Sequence, residues 1–481
     1  MKEKSIRRNF LMNALLAVSG VIFPLISYPY VFRVLQPEGT GKVALATSVI
    51  AYFSMFAQLG IPTYGIRACA KVRDDRQALS RTVQELLGIN LVMDLAAYAL
   101  LALAILFIPK LQEERTLYIV VSVTIFLNSI GMEWLYKALE QYTYITIRSI
   151  IFKVIALAAM FLLVKQKEDY VIYGGISIFA TSASNILNFI YSRKYTDLWK
   201  VKEFDWKRHL KPVMVFFAMA CAATIYTNLD AVMLGFMTTD ADVGYYNAAV
   251  KIKVLLVSVV TALGAVLLPR SSWYVENGQM EDFRRITRKA LQFVLLAASA
   301  LSVYFILYAK ECILVLSGEA YLPAVPAMQV IMPTVLLIGL TNLLGIQILV
   351  PLGKEKAVLQ SEIAGAVVDL VLNLILIPQY RATGAAIGTL AAEAVVLGVQ
   401  YRTLRGEIGE VFRSYRWMRL AAGLLIAAAA GIWVKFMGMK PLLTLIVSAV
   451  CFFGAYGGFM LIRKEETMTE SMELIRKRIR G

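Results

Sequence analysis

The chain has 481 residues, 59% of them apolar and 17% charged, with a mean hydropathy of +0.66 and a formal net charge of +16. Soluble domains run at roughly 45–50% apolar and about 25% charged, and no stretch between the apolar runs is long enough to be one, so the whole chain reads as membrane protein. A single histidine excludes His-rich metal sites, and four cysteines without paired spacing give no indication of redox or zinc chemistry.

A helix needs about 20 largely apolar residues to cross the hydrocarbon core. In chain order, candidate spans lie near 9–35, 40–62, 83–108, 116–136, 144–164 and 171–191. A polar stretch follows, then spans near 212–237, 244–268, 290–309, 325–350, 357–377, 382–401, 417–435 and 441–462. The expected fold is therefore all-α, with about fourteen transmembrane helices. With the N-terminus inside, the cytoplasmic segments hold 36 of the 49 Lys and Arg, the seven external loops hold 9, and Arg33, Lys153, Lys251 and Lys253 lie within spans. That alternation is the positive-inside pattern, and it predicts both ends in the cytoplasm. The basic surplus is thus topological, and no nucleic-acid partner is expected. The basic start with its apolar run reads as an uncleaved first helix, because further spans follow. Trp134, Trp199, Trp206, Trp273, Trp417 and Trp433 fall near span ends, where an interfacial belt is expected.

Two stretches of the first half recur weakly in the second. Aligning them at offsets of 210 to 212 pairs Ser149 with Ser361, Gly174 with Gly384 and Tyr191 with Tyr401. Six spans repeated in one orientation imply two lobes related by an axis along the membrane normal. The expected domains are an N-terminal lobe at 1–200 and a C-terminal lobe at 201–405. Helices thirteen and fourteen and a basic tail fill 406–481.

Several motifs go beyond periodicity. "YPYVFRVLQPEGTGKVALATSVIAYFSMFAQLGIPTYGIRACAK", "EWLYKALEQYTYITIRSIIFKV", "LVKQKEDYVIYG" and "NLDAVMLGFMTTDADVGYYNAAVKI" resemble the Wzx-type polysaccharide flippases. These belong to the multidrug/oligosaccharidyl-lipid/polysaccharide exporter superfamily, and the resemblance runs from about residue 9 to about 400. It implies a MATE-like pair of lobes in a bacterial plasma membrane and a secondary transporter without enzymatic activity. The implied cargo is an oligosaccharide on undecaprenyl pyrophosphate, moved from inner to outer leaflet by alternating access. Membrane lipids and polysaccharide polymerase machinery are the implied partners. A lipid II flippase and a cation-coupled drug exporter share the superfamily and stay open as alternatives. A membrane enzyme would need a larger external loop than the stretch 310–324 provides.

A charge at mid-bilayer costs at least about 2.5–3.5 kcal/mol, so each is a functional candidate. The deep ones are Asp94, Lys153, Asp230, Lys251, Lys253, Asp369 and Glu393. Lys251 and Lys153 suit a lipid pyrophosphate that sheds its hydration, and Arg33 and Arg67 would guard the two mouths. Lys251 and Lys253 are two apart, roughly 200° around a helix, and cannot share one cavity. Pairing of Lys251 with Asp230 remains the simpler alternative. Asp369 and Asn373 are four apart on one face, as are Thr389 and Glu393. With Asp230 they form an oxygen-rich set suited to Na⁺ or H⁺ as coupling ion, no other cofactor being expected, or else to a plain interhelical network. The resemblance to lipid II flippases points to the same helices for a cation.

Other motifs carry less. "GTGKV" at 39–43 lacks the spacing of a phosphate loop, and "DAD" at 240–242 reads as a polar turn. His209 sits in a basic loop and is expected to be solvated. Met468, Met472, Ile475 and Ile479, beside Arg476, Lys477, Arg478 and Arg480, suggest a helix lying on the inner leaflet.

Overall fold

The structure, a computed structural model, describes residues 6–197, 205–413 and 415–463. Trp199 and the basic tail helix lie outside the described residues. Within them the chain is helical throughout and contains no strand, as expected for an all-α membrane protein. The apolar helices are α1 (Leu11–Lys71), α2 (Arg76–Phe107), α3 (Arg115–Ala138), α4 (Tyr142–Leu163), α5 (Lys167–Ser192) and α6 (Lys207–Met237). They continue as α7 (Asp240–Ala262), α8 (Met280–Leu307), the bent pair α9 (Glu319–Ile331 with Thr334–Leu349), α10 (Glu355–Glu407), α11 (Trp417–Met437) and α12 (Pro441–Ile462).

Two of these helices are far too long for one crossing, and each contains one residue of non-helical backbone near its middle; α1 breaks again at Leu59 (φ 48°) and Gly60 before its last segment. The middle break in α1 is Gln36 (φ 60°, ψ 173°), followed at once by Pro37; that in α10 is Arg381 (φ 48°, ψ −127°). Pro37 starts the second half of α1 where its missing N–H costs nothing. The external turns read from the sequence as several residues therefore shrink to one residue each. By length and composition the described residues hold eleven helices able to cross a membrane, or twelve with the bent pair α9 taken as one span, and α1 and α10 are each long enough for two crossings.

The chain divides into two compact units, Met1–Gly244 and Tyr245–Gly481. In the first, α1 is the centre, packed by α2, α3, α4 and α6. One core joins Ile61, Leu79, Val83, Leu86, Trp134 and Tyr136. Trp134 is buried there with its ring against Gly65, where a Cβ would come within 2.7 Å, so it is core rather than belt. Trp206, Trp273, Trp417 and Trp433 are all exposed, as belt residues should be. In the second unit α9 packs on α10 and α8, and α11 on α12. Tyrosine hydroxyls tie α8 to its neighbours: Tyr304 donates to the Leu445 carbonyl at 2.8 Å and Tyr456 to that of Leu296 at 3.1 Å. The next turn of chain adds Tyr308, which donates to Gly431 at 2.6 Å.

Candidate transport sites

In the first unit, Lys153 lies half-buried on α4, and its ammonium donates to the Ser19 hydroxyl of α1 at 3.0 Å. Ser19 is itself buried and donates to the Leu16 carbonyl, so the lysine meets a neutral oxygen rather than a carboxylate. Arg33 is exposed on the last turn before the Gln36 break, its Nη1 donating to the Pro29 carbonyl at 2.6 Å. Arg67 is exposed on the final segment of α1. Asp230 is buried near the end of α6.

The second unit holds the other candidates. Lys251 and Lys253 are half-buried on α7. Asp369, Asn373, Thr389 and Glu393 are all buried on the two halves of α10. Gly388 brings these halves together. A Cβ there would sit 2.4 Å from Asn373 Oδ1 and 3.0 Å from Asp369 Oδ1, so both oxygens face one point beside Thr389. Thr389 donates to the Ala385 carbonyl at 3.0 Å, which leaves Tyr246 OH as the donor in the 2.9 Å bond between the two hydroxyls. Tyr246, buried on α7, is a member that sequence reading passed over.

One further constellation was not read from the sequence. The alternation of charges counts Arg148 as cytoplasmic, yet it is buried within α4. Its Nη1 donates to the Ser184 carbonyl at 3.0 Å and to Asn185 Oδ1 at 3.4 Å. Asn185 and Ser182 both donate to Asn128 Oδ1. Residues Phe179–Ala183 form a π-turn inside α5, which disturbs the regular carbonyl pattern, and Arg148 supplies a donor at its end. The signal was present in the polar run "TSASN" within an otherwise apolar span. Asp94 is buried on α2 and accepts from Ser129 Oγ at 2.7 Å.

His209 corrects the sequence reading outright. It is buried, its Nε2 lies 2.8 Å from Glu85 Oε2, and its Nδ1 lies 2.8 Å from Tyr64 OH. The basic loop around it is not its environment, because Glu85 and Tyr64 arrive from distant helices. The two decoys have structural uses. Lys42 of "GTGKV" pairs with Glu38 at 3.2 Å and Glu114 at 2.9 Å. Asp240 pairs with Lys110 at 2.8 Å, and Asp242 accepts from the Thr239 hydroxyl at 2.7 Å.

Residues 6–275 match the family model described as polysaccharide biosynthesis protein. The chain belongs to the polysaccharide biosynthesis protein family. The matched stretch contains the four segments that carry the Wzx-type resemblance. Among curated relatives of this family member, a candidate O-antigen transporter of Escherichia coli K12 is 24% identical over 403 residues, covering 83% of this chain and 97% of its own. A protein of the same description from Shigella dysenteriae is also 24% identical, over 81% and 98%. The fold is similar to that of the lipid II flippase MurJ in an inward closed conformation, with TM-score 0.73 at 13% identity over 94% and 98% of the two chains. An inward-facing MATE family transporter of the MOP superfamily gives TM-score 0.61 at 14% identity over 86% and 97%.

Proposed function

We propose that this polysaccharide biosynthesis family member flips undecaprenyl-pyrophosphate-linked oligosaccharide units to the outer leaflet of a bacterial plasma membrane by alternating access. The observation that carries the reading is Lys153. An ammonium within the membrane-crossing part of α4 rests on a neutral hydroxyl, which leaves its charge to be answered by an anionic cargo. Lys251 takes the same role on α7, and Arg33 and Arg67 attract the anion at the two mouths. Asp369, Asn373, Thr389 and Glu393 bind the coupling Na⁺ or H⁺, since a buried carboxylate among amide and hydroxyl oxygens suits a hard cation, and Asp230 on α6 is a second carboxylate for the same ion chemistry.

The test is surface glycan in a strain lacking the gene and complemented with variants. Lys153→Met and Lys251→Ala should each stop export, and Lys153→Arg should keep part of it because the charge survives. Normal glycan in both neutral variants would remove the lysines from cargo binding. If Lys251 serves only to neutralise Asp230, the double change Lys251→Ala with Asp230→Asn restores export that either single change abolishes.

A further inference from the structure

Glu85 is fully buried on α2, yet it receives donors from four residues, one on its own helix and three in the stretch 205–209. Its Oε2 accepts from Arg208 Nε at 2.9 Å, Arg208 Nη2 at 2.6 Å and His209 Nε2 at 2.8 Å. Its Oε1 accepts from Arg81 Nε at 3.1 Å and from the Asp205 backbone N–H at 2.8 Å. A carboxylate only accepts, so His209 carries its proton on Nε2, and Nδ1 accepts from Tyr64 OH. Tyr64 belongs to α1, Glu85 to α2, and Asp205, Arg208 and His209 to the start of α6 and the residues just before it. One acid thereby binds the first turn of α6 to two other helices of the same unit.

The rest of α6 runs along α1, with close approaches at Gly60 and Gly235. A Cβ on Gly60 would meet the Val213 carbonyl at 2.4 Å and the Phe217 N at 2.6 Å, so α1 and α6 touch main chain to main chain there. Gly235 makes room for a side chain instead, since a Cβ there would meet Leu45 Cδ1 at 2.4 Å. Between these points Met214, Val215, Met219 and Ile225 are exposed. A helix fastened near its ends and loosely covered between them depends on its fastenings for its place.

We propose that Glu85 is a positioning residue for transport: by clasping the cytoplasmic end of α6, the helix that carries Asp230, it keeps α6 within the first unit throughout the transport cycle. The inference rests on the transporter reading given above, but it concerns a contact that no cargo or ion touches. It predicts that transport proceeds with α6 covalently tied to α1.

The experiment uses the full chain with Cys69, Cys221, Cys312 and Cys451 replaced by Ala. Phe56→Cys and Phe217→Cys are then added, at rings whose centroids lie 5.7 Å apart. A short bifunctional thiol reagent links α1 to α6 in membranes, and glycan export is compared with the untreated protein. Export should be unchanged by the link. Glu85→Gln in the same background should lose export when untreated and regain part of it when linked, a rescue that mere loss of folding would not show. Export that stops on linking, although the untreated pair exports, would overturn the inference, and so would normal export by unlinked Glu85→Gln. A parent that exports no lipid-linked glycan overturns the transporter reading instead, and the inference with it.

Discussion

Asp369 and Asn373 owe their common focus to the absence of a side chain at Gly388. A methyl group there would come 2.4 Å from Asn373 Oδ1 and 3.0 Å from Asp369 Oδ1, so Gly388→Ala must push both oxygens away. The expected result is insertion and folding close to the parent, with ion-dependent export reduced as far as by Asp369→Asn. Gly398→Ala, where a Cβ meets nothing within 4 Å, should export normally under the same gradients. If Gly388→Ala responds to Na⁺ and pH as the parent does, the set is a packing network. The pairing of Asp369 with Asn373 was legible from four-residue spacing, because a helix fixes it locally. His209 was not legible, because Glu85 lies 124 residues away in sequence and local polarity says nothing of what a fold brings to it. Arg148 escaped for a related reason: charge counting assigns a side of the membrane, and a residue near a span end can belong to the helix core instead.

At the scale of elements, the closest approach in the first unit is between two pieces of main chain. A Cβ on Gly41 would lie 1.7 Å from the Asp240 carbonyl oxygen, and one on Gly244 would lie 2.0 Å from that of Pro37. Each glycine accommodates the backbone opposite the other, a small-residue crossing of the kind that holds membrane helices together. Gly41→Ala and Gly244→Ala should each destabilise the protein by about 1–3 kcal/mol, the usual cost of overpacking, read as a lower thermal midpoint in detergent. Gly20→Ala, where a Cβ meets nothing within 4 Å, should be neutral or slightly stabilising. Equal midpoints for all three would show that these contacts yield freely. In the sequence, "GTGKV" was notable only as a phosphate-loop look-alike with the wrong spacing. It did not reveal the crossing, because the partner of Gly41 lies some two hundred residues downstream.

For the whole molecule, hydropathy and charge alternation carried most of what could be read. Apolar runs and loop lysines are properties of the chain itself and survive without knowledge of contacts. The one-residue breaks at Gln36 and Arg381 were invisible to that reading, since a window of about 20 residues cannot resolve them. The alternation makes a prediction that spans every helix. Reporter fusions after residues 76 and 278 should report cytoplasm, and fusions after 112, 316 and 438 should report the outside. A consistent inversion beyond one point would show a crossing too many or too few before it.

The single-residue reversal at Gln36 also bears on how the protein is made. Two apolar helices joined without a loop have no hydrophilic segment to hand across the bilayer by itself, so they enter as one helical hairpin. Gln36 holds φ 60° and ψ 173°, a conformation that costs of order 1–3 kcal/mol outside glycine, and the hairpin must form its tip against that cost. The partners that settle its outer end come later. Glu114, which pairs with Lys42, and Asp240, whose carbonyl seats Gly41, are synthesised only after one and five further apolar helices. The contacts that seat the outer end of the first hairpin are therefore complete only once the rest of the unit has been synthesised.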